Sequence, residues 1–195
     1  MMKTKTINLY EYDELPEDIK AKVLENHRYI NVDDSWWSKA ELDYWKEELK
    51  AEGFEDAKIA FSGFWSQGDG ASFTATVNIE TFLRKHRSIT RFKKLLPLIP
   101  MGDLSACVVR VGHHHVHENT VKADVEMAWN NETEPLEGLR GELEGFLTER
   151  VRELSRKIYK SLESDYRFQT SDEAIIETLK ANEYTFREDG KVERE

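Results

Sequence analysis

Three stretches in the middle of this 195-residue chain hold side chains that could do chemistry. The first is Phe61-Ser62-Gly63-Phe64-Trp65-Ser66-Gln67-Gly68-Asp69-Gly70-Ala71-Ser72-Phe73. Its glycines allow successive backbone N–H groups to converge on an anion. Phe64 and Trp65 offer flat faces on which a base could stack, and Ser66, Gln67 and Asp69 could read ribose hydroxyls or base edges. Those are the ingredients of a nucleotide pocket, although the spacing is neither a P-loop nor a dinucleotide fingerprint. The plain alternative is a tight hairpin turn with one aromatic side in the core.

The second stretch is His113-His114-His115-Val116-His117-Glu118. In extended backbone His113, His115 and His117 share a face and could ligate a divalent metal, with Asp69 or Glu118 as base or further ligand. Imidazoles can also donate to phosphate or stack without any metal, and a short histidine tract is often solvated surface. The third is Arg84-Lys85-His86-Arg87-Ser88-Ile89-Thr90-Arg91-Phe92-Lys93-Lys94, with six fixed positive charges and no acid. On a helix Arg84, Arg87 and Arg91 fall on one face and could grip phosphates or an acidic protein, or simply form a solvated face. Trp36-Trp37 follows Asp33-Asp34. Helical neighbours diverge by about 100°, so one ring is expected in the core and the other, Trp36, on a ligand or partner surface. Cys107, between Ala106 and Val108, reads as a small core residue. The residues imply no cofactor.

These stretches need elements to position them. Ile7 to Tyr12 suggests a short opening strand, and Asp13 to Asp18 a helix start with proline and acids in its first turn. Asp34 or Ser35 can cap a second helix, and Gly53 can end it. Ala57–Trp65 and Ala71–Ile79 read as strands of a hairpin turning through Ser66-Gln67-Gly68-Asp69-Gly70. Phe82–Leu96 fits a basic helix stopped by Pro97, Leu104–Val111 a third strand, and Val121–Trp129 a half-buried strand by its strict alternation. From Leu136 to Ser164 apolar residues recur every three or four positions, which predicts a long amphipathic helix. Thr170-Ser171-Asp172-Glu173 opens a shorter one through Leu179, and Tyr184 with Phe186 could add a last strand. The expected architecture is α+β, a largely antiparallel sheet with helices on one face and a long C-terminal helix. It is read as one domain, 1–195: N-terminal helices 14–53, central sheet and basic helix 55–130, and C-terminal helices 135–182.

Charge bounds the partners. The net charge is −10, which argues against non-specific DNA binding. Residues 1–60 hold 9 basic and 15 acidic side chains and residues 132–195 hold 11 and 17, whereas residues 61–131 hold 8 basic and 6 acidic. An anionic small molecule would be drawn to that middle portion, which also carries five of the six histidines. No apolar run reaches the roughly 18 residues of a membrane span, and Met1 to Thr6 lacks the apolar core of a secretory signal. With one cysteine, these features fit a reducing, cytoplasmic setting.

The chain resembles a widespread family of small proteins from tailed bacteriophages and prophages, sometimes labelled "antitoxin of toxin–antitoxin stability system". The resemblance rests on Tyr10-Glu11-Tyr12-Asp13-Glu14-Leu15, on Asn31-Val32-Asp33 with Trp36-Trp37, and above all on the stretch from Phe61 to Phe73. Gly112-His113-His114-His115 is similar to that family's Gly-His-Tyr-Tyr-His element, with histidines where the family has aromatics. Arg156-Lys157-Ile158-Tyr159-Lys160-Ser161-Leu162-Glu163, Thr170-Ser171-Asp172-Glu173-Ala174 and Ala181-Asn182-Glu183-Tyr184 extend the similarity toward the C-terminus. It implies a phage origin, hence the cytoplasm of an infected bacterial host, more firmly than it implies an activity.

Together these readings favour a phage accessory protein that counters host defence by non-catalytic binding of a nucleotide-derived anionic signal. The expected site joins Trp65, Ser66, Gln67, Gly68, Asp69 and Gly70 with His113, His115, Arg84, Arg87, Arg91 and Trp36. Two rivals stay open: a metal-dependent phosphodiesterase using His113, His115 and His117, and an acidic protein-binding inhibitor or antitoxin aimed at a host protein. The apolar stripe of the long helix also admits a homodimer seam.

Overall fold

The computed structural model describes residues 7–112, 115–129 and 133–193. The alternation expected of the middle of the chain is realised as a four-stranded antiparallel sheet in the order β1-β2-β3-β4, from β1 (Phe54–Phe61), β2 (Ala71–Val77), β3 (Leu104–Arg110) and β4 (Val121–Met127). Period two puts Phe73, Ala75 and Val77, Leu104, Ala106 and Val108, and Val121, Ala123 and Val125 on the buried face. Thr76, Ser105 and Glu126 lie on the exposed one. The architecture is α+β.

The chain divides into two compact units, one formed by Met1–Lys39 and Ser164–Glu195, the other by Ala40–Glu163. In the larger unit the sheet's apolar face is covered by helical residues. Leu143, Leu147, Val151, Leu154, Ile158 and Leu162 recur along α4 (Glu134–Gln169) and are buried, as are Phe82 and Leu83 of α3 (Ile79–Lys85). Each such side chain removed from water contributes about 1.5–3 kcal/mol. The α4 helix also blunts the outer edge of β4: Thr148 Oγ1 accepts the Ala123 N–H at 3.0 Å and Arg140 Nη1 donates to the Val125 carbonyl at 2.9 Å.

The smaller unit packs α1 (Glu17–Asn26) and α5 (Asp172–Ala181) around Tyr12, Leu15, Val23, Ile175, Leu179 and Phe186. Ser171 Oγ caps α5 by accepting the Ala174 N–H at 3.3 Å, so the cap falls one residue after the Thr170 that a Thr170–Glu173 capping box implies. Phe186 lies in β5 (Thr185–Phe186), which pairs with β6 (Val192–Glu193).

Several boundaries differ from the sequence reading. The opening strand reduces to one bridge from Tyr10 to Phe186, because the chain turns at once into a single helical turn at Tyr12–Glu14. The second helix, α2 (Lys39–Ala51), begins after both tryptophans, since Asp34 Oδ1 accepts the Trp36 N–H at 2.8 Å and holds that segment in turns. It ends where expected: Gly53 has φ +95°, and a Cβ there would lie 2.8 Å from the Phe82 nitrogen. β1 ends at Phe61, four residues before the predicted end, so the expected turn, closed by the Asp69 N–H donating to the Ser66 carbonyl at 3.1 Å, sits within a longer connection, residues 62–70.

The largest difference is the basic helix. It stops at Lys85 rather than Leu96. The Ser88 N–H donates to the Leu83 carbonyl at 2.8 Å and the Arg87 N–H to the Arg84 carbonyl at 3.1 Å, with Arg87 left-handed at φ +53°. That is a Schellman termination with arginine where glycine is usual. Beyond it Phe92 and Leu95 turn into the core.

Candidate functional site

Because the strands are antiparallel neighbours, the β1–β2 and β3–β4 connections emerge at the same end of the sheet. There the structure brings the aromatic-glycine stretch and the histidine segment together. Ser62 joins them: its N–H donates to the Gly70 carbonyl at 3.0 Å, its Oγ accepts the Gly70 N–H at 3.2 Å, and its hydroxyl donates to the Val116 carbonyl at 3.4 Å. The glycines permit close approach. A Cβ on Gly70 would sit 2.5 Å from His117 Cβ, and one on Gly68, whose φ is +94°, 3.1 Å from His115 Nδ1. Only a residue without a side chain fits at either point.

Asp69 has a role the sequence reading did not assign. Its Oδ2 accepts the N–H groups of Trp65 at 3.0 Å and Ser66 at 2.7 Å. The converging donors expected for a foreign anion are thus occupied by the chain's own carboxylate, which rigidifies the loop. Beneath it Phe64 is buried, stacked on Phe61 and tilted against Tyr159 of α4. Trp65 stands out on this support at 71% exposure, flanked by exposed Ser66 and Gln67.

On the facing connection the imidazoles of His115 and His117 lie 6.2 Å apart. His117 Nδ1 accepts the Asn119 N–H at 3.1 Å, so in the neutral ring the hydrogen sits on Nε2, which can donate outward. That tautomer leaves no lone pair on His117 for a metal. Arg110 braces the segment by donating to the His115 carbonyl at 3.0 Å. His113 and His114 lie outside the described residues, and among the described residues no group of three His, Cys, Asp or Glu side chains is placed to hold a metal ion.

The basic stretch does not join this end. The chain leaves β2 at Val77, the far end of the strand, and enters α3 there. Six steps along β2, at about 3.3 Å each, separate the two ends by about 20 Å. Arg84 pairs with Glu80 on its own helix, Arg91 with Glu142 of α4 at 2.9 Å, and Arg87 is exposed in the helix-terminating turn. With the helix ended at Lys85, the single arginine face expected for Arg84, Arg87 and Arg91 does not form. Trp36 belongs to the smaller unit, at 68% exposure, with the Lys39 ammonium 4.4 Å from its ring centre. Its neighbour Trp37 is half-buried, edge-on to Tyr166. Cys107 is corrected as well: Ala106 and Val108 take the core face, so the thiol lies half-buried on the opposite one. There burial, with the charges of Asp124 and Glu126, pushes it up from the ordinary thiol range.

At the far end of the sheet lies a charge cluster that sequence reasoning missed. The carboxylate of Glu52 accepts from Arg150 Nε at 3.0 Å and Nη2 at 2.6 Å, and pairs with His86 Nε2 at 2.8 Å. Burial pushes the Glu52 carboxyl up, but the hydrogen bonds and charge of Arg150 and then His86 outweigh it, and the net shift is down. Arg150 also reaches Glu153, whose carboxyl is held at about 2 by hydrogen bonds from Lys157 and Arg150. The pairs within α4 follow from helical spacing. The partnership of Glu52 with Arg150, 98 residues away, has no local signal.

Residues 36–172 match the family described as Domain of unknown function (DUF8835). The chain belongs to this family. The DUF8835 segment contains the whole four-stranded sheet, both connections at its aromatic end and the Glu52–Arg150 cluster. No curated protein and no solved structure matches the chain.

Proposed function

We propose that this protein is a non-catalytic binder of a nucleotide-derived anion, with its recognition surface at the paired connections 62–70 and 115–120. The observation that carries the reading is Trp65. A large aromatic ring stands exposed on a loop that Asp69, Ser62 and two glycines hold in one conformation. Base stacking on such a ring contributes about 1–3 kcal/mol, and a preorganised loop loses little entropy on binding. On the facing connection, the Nε2–H of His117 is a donor suited to a phosphate oxygen.

The ligand is a mononucleotide or cyclic nucleotide rather than a polymer, because the chain's net charge of −10 opposes long polyanions. The resemblance of Phe61 to Phe73 to phage and prophage proteins supports a role in infection, in which sequestering such a signal blunts a host defence. Calorimetric titration with a panel of cyclic and linear nucleotides tests this. Saturable heat with at least one nucleotide, lost in Trp65→Ala, is expected. Absence of heat with every nucleotide overturns the reading.

A further inference from the structure

The larger unit carries a second concavity, a groove of about 480 Å³ beside α4, bounded by His86 and Phe146 and by the helix face from Glu149 to Arg156. We propose that this groove is a phosphate-binding site in which Arg152 and Arg156 clamp the oxyanion. It is distinct from the Trp65 ring and does not rest on that reading; its one tie to the facing connection is Arg156, 3.9 Å from Glu118.

Most of the charges lining the groove are already engaged. Positions 149, 152, 153 and 156 fall at i, i+3, i+4 and i+7 and share one helix face. Glu153 is taken up by Arg150 at 2.7 Å and Lys157 at 2.8 Å, and Arg150 in turn by Glu52. Arg150 therefore forms a neutralised floor rather than a ligand. Two cations of the lining remain. Arg152 Nε is buried with no hydrogen-bond partner among the described residues, a cost that a turn of the side chain toward an acceptor in the groove would relieve. The Arg156 guanidinium is half exposed and approaches Glu118 no closer than 3.9 Å, which leaves its donors available.

The chemistry of the guest follows from this geometry. Side chains on successive helical turns leave from Cβ atoms about 5–6 Å apart, close enough for two long guanidinium arms to reach one guest. Two such forks suit a tetrahedral group with several charged oxygens better than a planar carboxylate with two. The rings of His86 and Phe146, 5.7 Å apart and nearly perpendicular, add an aromatic wall. Glu149 faces the same groove and works against an anion, so its removal should strengthen binding.

The test is titration of the full chain with inorganic phosphate, ribose 5-phosphate and acetate, followed by calorimetry and phosphorus NMR. Saturable binding of one or both phosphates is expected, at least ~10-fold tighter than acetate. Equal affinity for the two identifies free phosphate as the guest, and preference for the ester identifies a phosphorylated metabolite. Arg152→Gln and Arg156→Gln should each weaken binding at least ~5-fold, and Glu149→Gln should tighten it. Arg156 is exposed, so R156Q keeps the fold whatever R152Q does. Trp65→Ala should leave phosphate affinity unchanged, which separates failure here from failure of the nucleotide reading. No saturation with either phosphate up to roughly 10 mM, or unaltered affinity in R156Q, overturns the proposal.

Discussion

The two ends of the four-stranded sheet use similar side chains for different purposes. At the Trp65 end Asp69 and His117, which the sequence offered for chemistry, accept backbone N–H groups, and Ser62 beside them bonds a backbone N–H and a carbonyl. The Trp65 ring faces solvent there, with Ser66 and Gln67. Toward the opposite end the sheet is flanked by paired charges, Glu52 with Arg150 and His86, beside a groove in which Arg152 has a buried nitrogen with no hydrogen-bond partner among the described residues. One end displays a stacking surface on a loop tied by its own hydrogen bonds; the other holds paired charge. A motif's conspicuous residues can be the ones that shape a loop, while the exposed ring lies next to them.

Substitutions at the charged end should have the largest effect on stability. Glu52→Ala leaves Arg150 and His86 without their shared acceptor and should cost about 3 kcal/mol, read as a lower urea midpoint. The acid dependence has a definite sign. Both Glu52 and Glu153 titrate below their unfolded values, so their stabilisation is complete above the ordinary carboxyl range, about 4.3. It is lost as pH falls through the folded values, about 2 for Glu153. Glu52→Gln should therefore flatten the decline in stability between neutral and acid pH, and an unchanged slope would remove Glu52 from that role.

Gly70→Ala should follow at about 2–3 kcal/mol, because its Cβ meets His117 Cβ at 2.5 Å and must push the two connections apart. Nucleotide binding should fall with it. Trp65→Ala should do the reverse, changing stability by less than about 0.5 kcal/mol while weakening nucleotide binding at least ~10-fold. The pair separates the shape of the loop from its contact surface. A Trp65→Ala variant as unstable as Gly70→Ala would collapse the distinction drawn between them. The last expected change is favourable. Arg87→Gly, at φ +53°, should raise stability by about 1 kcal/mol by relieving the left-handed strain, read as a higher unfolding midpoint.

Local pattern was legible wherever one face of an element met the core. The alternation from Val121 to Met127, the three-and-four spacing from Leu136 to Leu162, the start of a helix at Thr170-Ser171-Asp172-Glu173 and the Gly53 stop all appear in the structure, because each depends on neighbours within a few residues. The basic segment misled for the same local reason. Its helical spacing continued past Lys85, but the end of α3 was decided by the demand that Phe92 and Leu95 enter the core. The sequence by itself determined the α+β class, the long helix and the presence of an unusual aromatic-glycine turn beside a histidine segment. Strand order alone decided that those two segments meet while the arginines leave at the other end, and folding alone paired Glu52 with Arg150 across 98 residues. Periodicity reports which face of an element is buried; it carries no information about which distant face is buried against it.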